Sequence, residues 1–136
     1  MNPLVPYIFF NGNCRDAMNF YKSCFGGDLQ AFTYGDAPPD SGMKDAPKDA
    51  IMHSTLIKDS LTIMASDWPG GAANQGNNIS LSIDCGSMSE IETLFKALSQ
   101  GGKVTQPLAD TFWDAHFGML TDQFGIHWML NCPLKK

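Results

Sequence analysis

Two rhythms of apolar and polar residues alternate along this chain, one with a period of two and one with a period near 3.6. The same succession of rhythms occurs twice. In the first half Leu4 to Phe10 reads as an apolar strand ending at Asn11-Gly12. A helix follows with Ala17, Phe20, Tyr21 and Cys24 on one stripe, stopped by Gly26-Gly27. Spacings of i, i+3, i+4 and i+7 aim such a stripe at a sheet. Asn13 or Asp16 is expected to cap this helix, because short polar side chains satisfy free N–H groups at a helix start. Leu29 to Tyr34 predicts a second strand. Residues 35–49, with three prolines and two glycines, predict a loop, either a lid over a site or a solvated excursion. Ile51 to Lys58 and Leu61 to Ser66 predict a hairpin turning at Asp59-Ser60.

The second half repeats the order. Asn78 to Asp84 alternates strictly, with Ile79, Leu81 and Ile83 on one face and Asn78, Ser80, Ser82 and Asp84 on the other. Ser87-Met88-Ser89-Glu90 has the form of a capping box. It opens a helix carrying Ile91, Leu94, Phe95 and Leu98, which Gly101-Gly102 stops. Lys103 to Gln106 predicts a short strand ended by Pro107. Phe117 to Leu120 and Ile126 to Leu130 predict a hairpin around the turn Thr121 to Gly125. The sum is an α+β chain of two tandem βαβββ modules, residues 1–67 and 77–136, joined by a Gly-rich linker at 68–76. Neither module can bury its apolar face alone. Each helix is expected to cover one side of its strands, leaving the other concave and partly polar, and two half-sheets together would enclose a cleft.

Composition narrows the function classes. The chain has 136 residues, 43% of them hydrophobic and 17% charged, which suits a folded domain. Its net charge is −5, and no basic run precedes the terminal Lys135-Lys136, so no nucleic-acid partner is expected. No apolar run approaches the roughly 20 residues that cross a bilayer, so no membrane partner is expected either. The start, MNPLVPYIFF, lacks the basic opening of an export signal, so a cytoplasmic location is expected. Cys14, Cys24, Cys85 and Cys132 are scattered without a CxxC pair and read as reduced core fillers.

Three segments carry a resemblance: PYIFFNGNCRDAMNFYKSCFGG, IMHSTLIKDSLTIMASD and FGMLTDQFGIHWMLN. Together they resemble the PhnB-like group of the vicinal oxygen chelate superfamily, which includes glyoxalase I, bleomycin- and fosfomycin-resistance proteins and extradiol dioxygenases. The group is often labelled demethylubiquinone methyltransferase-like. The resemblance implies a cytosolic homodimer with sheets facing a cavity. It does not bring methyl-donor chemistry with it, since such sites use a Gly-rich strand-to-helix turn. Here that turn is Asn11-Gly12-Asn13-Cys14, with one glycine.

Metal-dependent members of the superfamily place His, Gln or Glu on four cavity-facing strands, where a divalent ion acts as a Lewis acid. Laid along that pattern, the four positions fall near Pro6, Ile63, Asn78 and Met129, each subject to a slip of one residue. Only Asn78 among them offers an oxygen donor, so no cofactor is expected. The histidines remain: His53 in a first-half strand, His116 before the last hairpin, and His127, which shares strand parity with Met129. With Asp67 or Asp122 they are the candidate donors for a noncanonical metal site. Asp122 and Gly125 read as turn residues. Phe9, Phe10, Phe20 and Tyr21 read as core.

These features leave three functions. One is a small-molecule-binding homodimer, with Asn78, Ser80, Trp113, Phe117, His127 and Met129 lining the cavity. Aromatic and Met side chains there suit a planar or apolar ligand, while Trp128 alternates to the helix-facing side. Another is a lyase or isomerase with His53 as general base or metal ligand. The last is a structural or partner-binding protein.

Overall fold

Each half folds into one helix laid on a four-stranded sheet. The computed structural model describes residues 3–37, 47–68 and 72–134, and it divides into two compact units, residues 1–74 and 75–136. The first contains β1 (Tyr7–Phe10), α1 (Cys14–Phe25), β2 (Asp28–Thr33), a single 3-10 turn (Tyr34–Asp36), β3 (Ile51–Lys58) and β4 (Leu61–Asp67). The second contains β5 (Leu81–Asp84), α2 (Met88–Ser99), β6 (Lys103–Asp110), β7 (Ala115–Thr121) and β8 (His127–Pro133). Strand order is β1-β4-β3-β2 in one sheet and β5-β8-β7-β6 in the other. In both, the first strand pairs parallel to the last and the remaining pairs are antiparallel. The βαβββ module is thus present twice, in tandem.

The stripe on α2 is the expected one: Ile91, Leu94, Phe95 and Leu98 are all buried. On α1 the buried set is Cys14, Ala17, Met18 and Tyr21, so the stripe is rotated from the expected one and leaves Phe20 and Cys24 half-buried. Phe9 is also no core residue; it is 44% exposed on the face away from α1. The reason is parity: Ile8 and Phe10 point at the helix, so Tyr7 and Phe9 point away.

Several boundaries differ from the sequence reading. β1 begins at Tyr7, not Leu4, and β5 begins at Leu81, leaving Asn78 and Ser80 ahead of the ladder. β6 runs through Pro107 to Asp110; it is an edge strand, and register shifts at Val104/Gln106 and Gln106/Ala109 absorb the missing N–H. β7 and β8 extend beyond the predicted hairpin, to Ala115 and Pro133. Part of the 35–49 loop, residues 38–46, lies outside the described residues, as do 69–71 of the predicted linker.

The two Gly-Gly stops share one packing reason. A Cβ on Gly27 would meet the backbone carbonyl of Ile57, and one on Gly102 would meet that of Thr121. At both positions the chain leaving the helix passes directly over a strand of its own sheet, which leaves no room for a side chain.

The helix N-termini are closed differently. Asn13 precedes α1 but makes no capping bond; its side chain accepts from the Asn11 amide at 3.2 Å. Nor is Asp16 the cap. Asp67, at the end of β4, accepts from the Cys14 amide at 2.9 Å and from the Ile51 amide at 2.8 Å. On α2 Ser87 accepts from the Glu90 amide at 3.1 Å, as the capping box predicts. The Glu90 carboxylate takes the Gly86 amide at 2.9 Å, one residue earlier than the motif implies.

Candidate functional site

With one face of each sheet under a helix, the opposite face carries no helix of its own unit. In the first unit Ser54, Leu56, Ile63 and Ala65 are buried on the helix side. The residues alternating with them line the other face: Tyr7 and Phe9 on β1, Phe32 on β2, His53 and Thr55 on β3, and Met64 and Ser66 on β4. The register sets Phe32 beside His53, and both Tyr7 and Thr55 beside Met64.

These side chains form an aromatic wall around one imidazole. Tyr7 and Phe9 lie 5.1 Å apart between ring centroids, Tyr7 and His53 5.8 Å, and Phe9 and Trp68 4.7 Å in an edge-on contact. Tyr7, Phe9, Phe32 and Trp68 remain 40–50% exposed. His53 sits between two hydroxyls, with Nδ1 3.3 Å from Tyr7 Oη and Nε2 3.2 Å from Thr55 Oγ1.

The uncovered face of the second sheet differs in chemistry. Trp128, Leu130 and Cys132 are buried on the helix side, so His127, Met129 and Asn131 face away from α2, as do Phe117, Met119 and Thr121 on β7. The placement of Trp128 agrees with the sequence reading. Trp113, at the β6–β7 tip, meets Phe117 edge-on at 5.9 Å and carries Phe112 at 5.0 Å. His127 is held at both nitrogens: Nε2 donates to the Gly76 carbonyl at 3.1 Å and Nδ1 lies 2.9 Å from Thr121 Oγ1. It anchors the segment leading into β5. Because Asn78 and Ser80 precede that strand, its ladder does not fix the face they take; Asn78 is exposed and Ser80 half-buried.

Other candidates are structural. Asp122 accepts from the amides of Phe124 and Ile126 and from Trp128 Nε1 at 2.8 Å, tying the β7–β8 turn to the core. His116 pairs with Asp110 at 2.8 Å. Cys14 is fully buried beside Ser54 Oγ, and burial pushes its thiol up to about 12. Burial also pushes the Cys85 thiol up to about 11. Neither is poised as a nucleophile.

The donor set does not fit a divalent metal of the glyoxalase kind. Ile63 is buried against the helix, so that strand offers Met64 to the open face. Asp67 and Asp122 are bonded to backbone amides on the covered side and in a turn. Among the described residues no three His, Cys, Asp or Glu side chains gather around one point. A methyl donor fits no better. The α1 start, where an anionic group of a nucleotide-like cofactor would seat, already has its Cys14 amide taken by the Asp67 carboxylate, and Gly12 is the turn's one glycine.

Sequence reasoning found His53 and missed Tyr7, Phe32, Thr55 and Trp68 as its company. Part of that was readable: His53 and Thr55 are two apart in one strand, as are Tyr7 and Phe9, and each pair must share a face.

Comparison with known proteins extends these findings. A family model described as 3-demethylubiquinone-9 3-methyltransferase matches residues 2–131. The crystal structure of protein PA1353 from Pseudomonas aeruginosa is 43% identical, with a TM-score of 0.85, over 99% of this chain and 100% of its own. A PhnB protein from Bacillus cereus is 24% identical with a TM-score of 0.78, over 96% and 99%. A glyoxalase/bleomycin resistance protein/dioxygenase family enzyme from Burkholderia phytofirmans shares the fold at 15% identity and a TM-score of 0.66, over 96% and 97%.

Proposed function

The chain belongs to the PhnB-like family described as 3-demethylubiquinone-9 3-methyltransferase, with a glyoxalase-type fold, and we propose that it binds a small planar molecule on an uncovered sheet face. The observation that carries this reading is the wall of Tyr7, Phe9, Phe32 and Trp68 around His53, left open on a strand face with no helix over it. Exposed aromatic clusters of this kind cost solvation free energy unless a ligand covers them. The face of the second sheet away from α2 is a separate candidate surface, with Trp113 and Met129 on it and Phe117 buried beside Trp113. His127, Asn78 and Ser80 add polar groups near its start.

Binding in this reading needs no divalent ion: Asp67 and Asp122 are held by amides, His116 by Asp110 and His127 by the Gly76 carbonyl. A second reading keeps His53 as a general base. It is favoured by the two hydroxyls at its ring nitrogens, which give a proton a route on and off the imidazole. The protein acts in the cytoplasm as a homodimer in either reading. No helix among the described residues is long and apolar enough to cross a membrane.

The test is a thermal-shift screen of planar aromatic compounds on tag-free protein, before and after treatment with a chelator. A ligand that binds the native state raises the midpoint by mass action. The expected result is a rise that survives chelation, together with substoichiometric metal in the untreated protein. A rise lost on chelation, or a near-stoichiometric divalent ion, would overturn the metal-free reading.

A further inference from the structure

The two hydroxyls at His53 are not independent of each other. A neutral imidazole carries one N–H and one lone pair. Whichever of Tyr7 and Thr55 accepts the N–H keeps its own proton for a ligand. The other donates to the lone pair, and its oxygen remains free to accept. The three side chains therefore present one donor and one acceptor, on opposite edges of the imidazole, and a change of tautomer exchanges the roles.

The rest of the face restricts the ligand further. By register its strand positions are Tyr7, Phe9, Asp28, Gln30, Phe32, His53, Thr55, Ile57, Thr62, Met64 and Ser66, with no Lys or Arg among them. Among the described residues of this face an anionic ligand finds no fixed cation. Tyr7, Phe9 and Phe32 favour a flat ring.

From this juxtaposition we infer that the first sheet takes a neutral aromatic compound with a hydroxyl donor at one edge and a carbonyl-type acceptor at the opposite edge. This inference rests on the small-molecule reading above and names the class of ligand for it. A compound without the donor leaves a desolvated protein oxygen unpaired, which is the stronger source of discrimination in such sites.

The experiment titrates the full chain, labelled with nitrogen-15, with 4-hydroxyacetophenone and with 4-methylacetophenone, following backbone amide shifts. The methyl compound has the same shape and is more apolar, so area alone would favour it. The expected result is shifts at Tyr7, His53 and Thr55 and a preference for the hydroxy compound of about fivefold or more. In the double variant Tyr7→Phe/Thr55→Val, which keeps the ring and the branched shape, that preference falls below about twofold. Equal binding of both compounds at these residues overturns the ligand class and leaves the small-molecule reading standing. Shifts confined to other residues overturn the first-sheet site, and binding of neither compound overturns the ligand class. A preference that persists in the double variant overturns the assignment to these hydroxyls.

Discussion

The two units share one topology and differ in how they are sealed and what they leave open. In the first, α1 starts on a carboxylate 53 residues away, Asp67, which also holds the Ile51 amide at the start of β3. In the second, α2 starts on its own Ser87 and Glu90. The uncovered face of the first sheet carries rings and a histidine between hydroxyls. On the second, the histidine is tied to backbone and the face is richer in Met. A repeated fold thus supports two different surfaces. The unit with the long-range cap exposes Tyr7, Phe9 and Phe32 on its sheet face, and the start of its helix depends on a tertiary contact and not on a local motif.

Removing the caps sharpens this contrast most. Asp67→Ala leaves the Cys14 and Ile51 amides without their acceptor and should lower stability by about 3 kcal/mol, measured by urea denaturation. Ser87→Ala removes one local bond and should cost about 1 kcal/mol. Equal losses would mean that the long-range cap has no special weight.

A smaller effect is expected at alkaline pH. The folded Cys14 thiol is raised to about 12 from an ordinary 9.0, so its neutral form contributes stability in full below pH 9.0. That contribution falls as pH rises toward the folded value, because the unfolded thiol ionises first. At the ordinary value, where half the unfolded thiols are ionised, the loss is about 0.4 kcal/mol. Denaturation of the wild type and Cys14→Ala across this range should show a steeper decline in the wild type, the decline left in the variant coming from Cys85, whose folded thiol is also raised. An identical decline in both would place its cause elsewhere.

How much of this was legible varies with the range of the interaction. The duplication, both helices and the α2 stripe followed from periodicity, since each is set by residues within a few turns of one another. Parity within β8 set Trp128 toward the helix and put His127 on the same face as Met129, as the structure has them. The cap on α1 was not legible: Asn13 and Asp16 are both good capping residues locally, and a distant carboxylate outcompetes them. The start of β5 was read too early, because Asn78 to Ser80 alternate like a strand but have no ladder partner. Ile63 was placed on the cavity by a register argument in which a slip of one residue reverses the face, and the slip occurred. Phe9 was assigned to the core because its strand must pack against α1, whereas strand parity turns its side chain to the opposite face.

The most direct test compares the thermal shift from one bound aromatic compound in the wild type, Phe32→Ser and Trp113→Ser. Both side chains are half exposed, at 50% and 53%, so neither change should move the unliganded midpoint much. The first-sheet site predicts that Phe32→Ser removes most of the ligand-induced rise and that Trp113→Ser leaves it unchanged. A rise untouched by Phe32→Ser and abolished by Trp113→Ser would contradict it.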